Sequence, residues 1–178
     1  MPEQSQSIQI EFSAVSPEET EFLYSGMEQN FIRDEIRDYK DFVAVMNEPL
    51  YRLSHIYCNG TRVGFVGLWE LHGFAFIEHI VIYKEYRNRG FGSAAIKNLR
   101  QKYGRLVLEI EPPTDADQKR RLNFYMRNGL VLNHFDYIQP SYRKDGNGVP
   151  LKLMSYPEPI EDSEKIVKEL YREVYKVI

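Results

Sequence analysis

The chain is poor in cysteine: Cys58 stands alone among 178 residues. An intramolecular disulfide is therefore excluded, and Cys58, set in a strand-like run, reads as a small buried hydrophobe. No apolar run approaches the roughly 20 residues that a bilayer span needs, so no membrane partner is expected. The first residues lack a basic stretch followed by an apolar one, which argues against a secretory signal and for the cytoplasm. An excess of positive charge is missing too. The formal net charge is −3, which argues against nonspecific nucleic-acid binding and mildly favours a cationic partner. Repeats, low-complexity tracts and linkers are absent, so residues 1–178 read as one domain. What is present suffices for a core: 43% of the residues are hydrophobic and 28% charged, ordinary values for a globular chain.

Local patterns divide the chain into two halves. Residues 6–13 alternate as a first strand. Ser16-Pro17-Glu18-Glu19 opens a helix, with Ser16 as N-cap, Pro17 at the first helical position and Glu19 completing a capping box. A second helix is expected over 31–46, stopped by Pro49. Strands follow at 53–58, 62–71 and 74–83. The tight turns Asn59-Gly60 and His72-Gly73 join them, so the three are antiparallel. The second half alternates differently: a helix over 93–103, a short apolar strand over 106–110, and a helix over 114–128 with Gly129 just past its end. Strand, helix and strand between 74 and 110 require a parallel, right-handed crossover. Strands at 131–138 and 151–156 precede an amphipathic helix at 161–178, with Val167, Leu170, Tyr171, Val174 and Ile178 on one face. That helix is expected to cap the sheet; a homodimer contact is the alternative.

Arg87-Asn88-Arg89-Gly90-Phe91-Gly92 lies where the strand 74–83 turns into the helix that follows. Two glycines remove side chains there and expose backbone N–H groups at a helix N-terminus, which carries roughly half a positive charge. Arg87 and Arg89 add charge-assisted donors. Such a turn cradles a diphosphate. Gly90-x-Gly92-x-x-Ala95 also fits a dinucleotide fingerprint, with Glu109 and Glu111 at nearly the distance of a ribose contact. Two features oppose that remote alternative: a polar segment separates the strand from the glycines, and the upstream strands are linked by hairpins.

A second motif, Phe124-Tyr125-Met126-Arg127-Asn128-Gly129-Leu130, follows at a spacing that leaves room for one helix, one strand and most of a second helix. With these motifs the chain resembles the GNAT acyltransferase superfamily, most sharply over 74–132. The resemblance implies an α/β (α+β) fold: a mixed central sheet of about seven strands, antiparallel in its N-terminal part. Its fourth and fifth strands would be parallel and splayed around CoA, with flanking helices and an additional C-terminal helix. It implies acetyl-CoA as acyl donor, no metal, and a small-molecule or peptide amine as acceptor. The diphosphate would lie on Arg87, Asn88, Arg89, Gly90, Phe91, Gly92 and Ser93, and the pantetheine arm along Ile80, Val81 and Ile82. Two positions depart from the pattern. Arg121 and Gln118 stand where many members carry a small residue and an asparagine.

Acyl transfer to an amine needs a base for the ammonium proton, donors for the oxyanion and a proton for the departing thiolate. Glu78 is the expected base. By strand alternation Phe76, Glu78, Ile80 and Ile82 share one face, with His79 on the other, and a carboxylate in an apolar strand is expected to have a raised pKa. His79 is the second candidate, and a β-bulge in this strand would exchange the two. Tyr125, on the family's tyrosine position, is the expected acid. Trp69, Phe74, Tyr137, Tyr142 and Glu70 are candidates for the acceptor pocket, each also readable as core or surface. The functional alternative within the same fold is a protein that binds or senses CoA without turnover.

Overall fold

The hairpin turns read from the sequence are where the sheet is built. In this computed structural model, which describes residues 7–144 and 146–178, Asn59 and Gly60 both take positive φ, 48° and 78°. This is the mirror-image turn whose twist matches that of the flanking strands. It joins β2 (Tyr51–Cys58) to β3 (Thr61–Leu71), and the turn at Gly73 joins β3 to β4 (Phe74–Ile82). All three are antiparallel, and β1 (Ile10–Ala14) adds antiparallel to β2. Gln6, the expected start of that first strand, lies outside the described residues.

The second half crosses over as expected. Helix α3 (Phe91–Tyr103) carries the chain from β4 to β5 (Leu106–Ile110), which pairs parallel to β4. The sheet then continues antiparallel through β8 (Val149–Tyr156). The order is β1-β2-β3-β4-β5-β8-β6, with β7 paired to β8. The described residues thus form eight strands rather than about seven, because the strand expected at 131–138 is broken in two. Within that stretch only Val131–Leu132 (β6) and Tyr137–Gln139 (β7) pair with β8. Asn133 makes the break. It is buried, and its side chain donates to the Leu153 carbonyl and the Ser155 hydroxyl and accepts from the Ile160 amide.

Helices cover both faces. On one, α3 and α4 (Ala116–Arg127) pack on Ala75, Ile77, Leu106 and Leu108. On the other, α1 (Thr20–Asn30), α2 (Tyr39–Val45) and α5 (Ser163–Glu173) cover Phe74, Phe76, Val107 and Leu153. The C-terminal helix caps the sheet, as expected: Leu170 is fully buried, and the Glu169 carboxylate accepts the His72 amide at 2.7 Å. The helix expected at 31–46 is shorter. Residues Phe31, Ile32 and Ile36 are extended, and α2 starts only after Asp38. Tertiary contacts override the helical pattern, because Arg37 turns inward from this break into the core. Among the described residues, no helix is long and apolar enough to cross a membrane.

One packing constraint in the sheet can be tested directly. Gly64, buried in β3, faces β4 so closely that an added Cβ would collide with the Val81 carbonyl oxygen. Backbone cannot yield as a side-chain tip can. Gly64→Ala is expected to lower stability by about 1–3 kcal/mol, read from urea unfolding. Gly60→Ala meets no neighbouring atom and is expected to cost about 1 kcal/mol, from its positive φ alone.

Candidate active site

Strand β4 carries one residue too many for its partner β3. Gly67 pairs with His79 and Leu68 with Ile77, so Glu78 is an inserted bulge residue. A bulge bends its strand and re-aims the side chains that follow. Here it coincides with a fork. β4 and β5 pair only through Ala75–Leu106, Phe76–Val107 and Ile77–Leu108. Beyond those pairs the strands diverge, and Glu78 and Glu109 are the first residues past the fork on either side. Strand β5 stays paired on its far edge, Glu109 opposite Leu153 and Ile110 opposite Lys152, so the edges facing the wedge are bare. The wedge opens into a cavity of about 1050 Å³.

The bulge corrects the expected parity. Ile80 and Ile82 pack with the Ala75 and Ile77 face, whereas Val81 packs with Phe74 and Phe76. Glu78 and His79 both turn toward the face covered by α1, α2 and α5: Glu78 meets Arg37 and Tyr142, and the His79 ring meets Phe31 at 4.7 Å. Exchange of one candidate for the other does not describe this arrangement, since the bulge brings both to the same side.

The pKa expected for Glu78 is corrected as well. Burial alone would raise it, but the Arg37 guanidinium lies 2.6 Å away, the Tyr142 hydroxyl donates at 2.8 Å, and the neighbouring His79 ring also favours the ionised form. Together these hold the carboxyl below its ordinary value. Arg37 is held in turn by the Val174 carbonyl at 3.1 Å, just past α5. His79 is pushed down chiefly by burial, against the opposing charge of Glu78. Its Nε2 lies 3.0 Å from the Glu35 carbonyl. A carbonyl only accepts, so Nε2 carries a proton.

Three further carboxylates, Glu35, Glu109 and Glu111, line the cavity, and the first two are held protonated more readily than usual. Glu109 is pushed up to about 7, chiefly by burial, against two tyrosine hydroxyls that favour its ionised form. Glu35 is also pushed up to about 7, by burial and then by the charge of Glu111. Sequence reasoning considered Glu109 only as a ribose contact and did not single out Glu35. Alternation along β5 carried a signal for the first: Glu109 shares the face of Val107, whose neighbours are the core under α5.

The glycine turn forms the other end of the cavity. Gly90, at φ 82°, caps α3, so the helix begins at Phe91, two residues earlier than expected. Its first backbone bond runs from the Ala94 amide to the Gly90 carbonyl. The amides of Phe91, Gly92 and Ser93 therefore precede the intrahelical ladder, at a terminus suited to an anion. All three residues line the cavity, with Ile80, Val81, Ile82, Arg87, Asn88 and Gly90. Arg87 is anchored by the Ile82 carbonyl and the Asn30 side chain. Arg89 does not line the cavity and lies over the Tyr86 ring.

Tyr125 on α4 lines the cavity from the opposite face of the sheet, 8% exposed, with its phenol pushed up to about 12 by burial. It stays protonated at neutral pH. Gln118 belongs to the α4 cap, where its side-chain oxygen accepts from Thr114 and Asp115. Arg121 pairs with Glu111. Trp69 and Phe74 are core, Tyr137 and Tyr142 hold carboxylates, and Glu70 pairs with Arg52.

Comparisons with known proteins agree with this architecture. The model of the acetyltransferase (GNAT) family matches residues 9–130. A Bacillus subtilis protein named "Putative acetyltransferase YjbC" is 30% identical over 115 residues, which are 61% of this chain. The chain spans 57% of that relative's length. A solved structure described as a "Putative acetyltransferase from GNAT family" from Bacteroides thetaiotaomicron superposes with a TM-score of 0.85 at 27% identity, covering 94% of this chain and 99% of that one. The ribosomal-protein-S18-alanine N-acetyltransferase of Escherichia coli shares the fold alone, with a TM-score of 0.58 at 18% identity over 87% of this chain and 97% of that one.

The Arg37–Glu78 pair makes a stability prediction. Because Glu78 is lowered, its contribution is present above the ordinary carboxylate pKa of 4.5 and is lost as pH falls through the folded value. Arg37→Ala leaves a buried carboxylate without its counter-charge and is expected to cost about 3–5 kcal/mol at pH 7. The loss is expected to shrink in acid, where Glu78 takes up a proton. Urea unfolding at several pH values checks both the size and the direction.

Proposed function

The chain belongs to the GNAT acetyltransferase family, and on that premise we propose that it is an N-acetyltransferase. It moves the acetyl group of acetyl-CoA to a primary amine by direct transfer in a ternary complex. Residues 1–178 work as one acetyltransferase domain. The observation that carries the reading is the wedge itself. Two bare strand edges meet a helix N-terminus with free amides in one continuous cavity, which fits a donor with an amide-bearing arm and a diphosphate. When bound, the donor supplies a thioester carbonyl as electrophile.

The chain's own residues supply the rest. The amides of Phe91, Gly92 and Ser93 take the diphosphate, together with Gly90, Asn88 and the Arg87 guanidinium; Arg89 adds long-range positive charge. Main-chain groups of Ile80, Val81 and Ile82 pair with the pantetheine arm, as an added strand would. Tyr125, protonated and poised at the wedge, donates to the leaving thiolate. Glu78, held ionised by Arg37, serves as a fixed anion that attracts the ammonium of a small-molecule or peptide amine. Its lowered proton affinity makes it a poor resting base.

A protein that binds or senses CoA without turnover is the alternative. A buried phenol and acidic groups converging on the fork from opposite faces favour turnover. Acetyl-CoA binding measured beside CoA release with a panel of primary amines separates the two readings.

Gly90→Val forces a β-branched residue to positive φ at the mouth of the cradle, where its Cβ would also meet Ile8 at 3.0 Å. Acetyl-CoA affinity is expected to fall at least about tenfold, or 1.4 kcal/mol. Calorimetry on the folded variant checks this. Tyr125→Phe removes a donor needed only as negative charge develops on sulfur. A fall in kcat with little change in acetyl-CoA affinity is expected; an unaltered kcat, where chemistry limits the rate, returns Tyr125 to packing.

A further inference from the structure

The cavity holds a carboxylate whose surroundings suit proton transfer better than those of Glu78. Glu109 is the first residue of β5 past the fork, across the wedge from Glu78. It points to the same face, among residues of the α5 side, and opposite to Tyr125. One oxygen, Oε1, accepts from two phenols: Tyr137 of β7, and Tyr175 just beyond α5 at 2.6 Å. Among the described residues, Oε2 accepts no hydrogen bond. Among those residues no arginine or lysine pairs with Glu109, in contrast to Glu78.

We propose that Glu109 is the proton acceptor of the reaction and that Tyr175 positions it, an assignment that rests on the acetyltransferase reading above. The ammonium gives one proton to Glu109 Oε2, and the free amine attacks the thioester carbon from the α5 side. The new N–C bond forms and the C–S bond breaks. The thiolate takes the phenolic proton of Tyr125 on the far side of the wedge. Tyr125 regains a proton as the amide nitrogen sheds its second one, and Glu109 passes its own to solvent. The sum is amide, CoA thiol and one released proton. The two proton-handling groups lie on opposite faces, with the reacting carbon in the gap between them.

Glu109 has the proton affinity the step requires. Burial dominates, and the charges of Glu78 on β4 and Glu35 near α2 raise it further. Tyr137 and Tyr175 donate to it and oppose that rise. Tyr142 and Tyr171 also face it, neutral, and Arg37 is spent on Glu78. The balance, about 7, makes Glu109 part ionised at neutral pH, able both to accept a proton and to release it.

The test is the pH dependence of kcat/KM for CoA release, with acetyl-CoA and ethylamine as the minimal primary-amine probe. Wild type is expected to show a rising limb near pH 7. Glu109→Gln is expected to abolish the limb and lower the rate near neutrality by roughly 10²–10⁴-fold. The loss should narrow in alkaline buffer, where the amine deprotonates unaided. Tyr175→Phe keeps the ring but removes a donor to the ionised carboxylate, so the limb is expected to move up by about one pH unit. Packing alone would lower the rate without moving the limb. A folded Glu109→Gln that keeps rate and limb overturns the assignment. Should that variant not fold, an unmoved limb in Tyr175→Phe overturns it instead. If acetyl-CoA binds to wild type but none of the amine panel releases CoA, the acetyltransferase reading falls and this assignment falls with it.

Discussion

Everything in the cavity depends on the single extra residue in β4. A regular strand would have stayed paired with both neighbours, burying its edges in ladder hydrogen bonds. The insertion of Glu78 opposite the Gly67–Leu68 step changes the strand's course at the point where pairing with β5 stops. The backbone groups released there are not a defect. A bare edge of β4 leaves backbone donors and acceptors able to pair as an added strand would. The β3 side of the same strand stays tightly fastened, with Gly64 held against Val81, so opening on one edge does not loosen the other.

Two carboxylates stand on the two arms of this fork, and their surroundings drive them apart. Both are desolvated, which taken alone would raise both. At Glu78 a guanidinium overcomes desolvation; at Glu109 two neutral phenols do not. The difference comes from chain connectivity. Arg37 reaches Glu78 only because the pattern between residues 31 and 46 fails to form one continuous helix, and the Val174 carbonyl secures the guanidinium from the far end of the chain. The C-terminal segment thus reaches both carboxylates, touching Glu109 through the Tyr175 hydroxyl and Glu78 only by way of the Arg37 guanidinium that Val174 holds. A helix that seemed to be cover for the sheet also sets the charge pattern beneath it.

Much of this was legible in the sequence. The hairpins were fixed by Asn-Gly and His-Gly turns, the crossover by alternation of pattern, and the glycine turn by its place between strand and helix. What was not legible had tertiary causes. The bulge leaves no mark in a run such as Phe-Ile-Glu-His-Ile, because β3 alone decides the register against which it is counted. Alternation therefore assigned Ile80 and Ile82 to the wrong face. The Glu78 pKa was misjudged because its counter-charge lies 41 residues earlier in the chain. The interrupted strand near residue 133 follows from three hydrogen bonds of one asparagine, to partners at least 20 residues away. Glu109 was visible but was weighed against a ribose rather than a thioester.

The sheet separates Tyr125 from the two carboxylates of the fork. The glycine turn, the β4 edge and Tyr125 lie within the 9–130 span that the family model matches. Tyr137, Tyr142, Val174 and Tyr175, which tune the two carboxylates, lie beyond that span. Changes among those residues alter the proton affinity and charge on the acidic face of the wedge while leaving the glycine turn intact. The acidic face can therefore diverge at little cost to the glycine turn, because the two meet only at the wedge among the described residues.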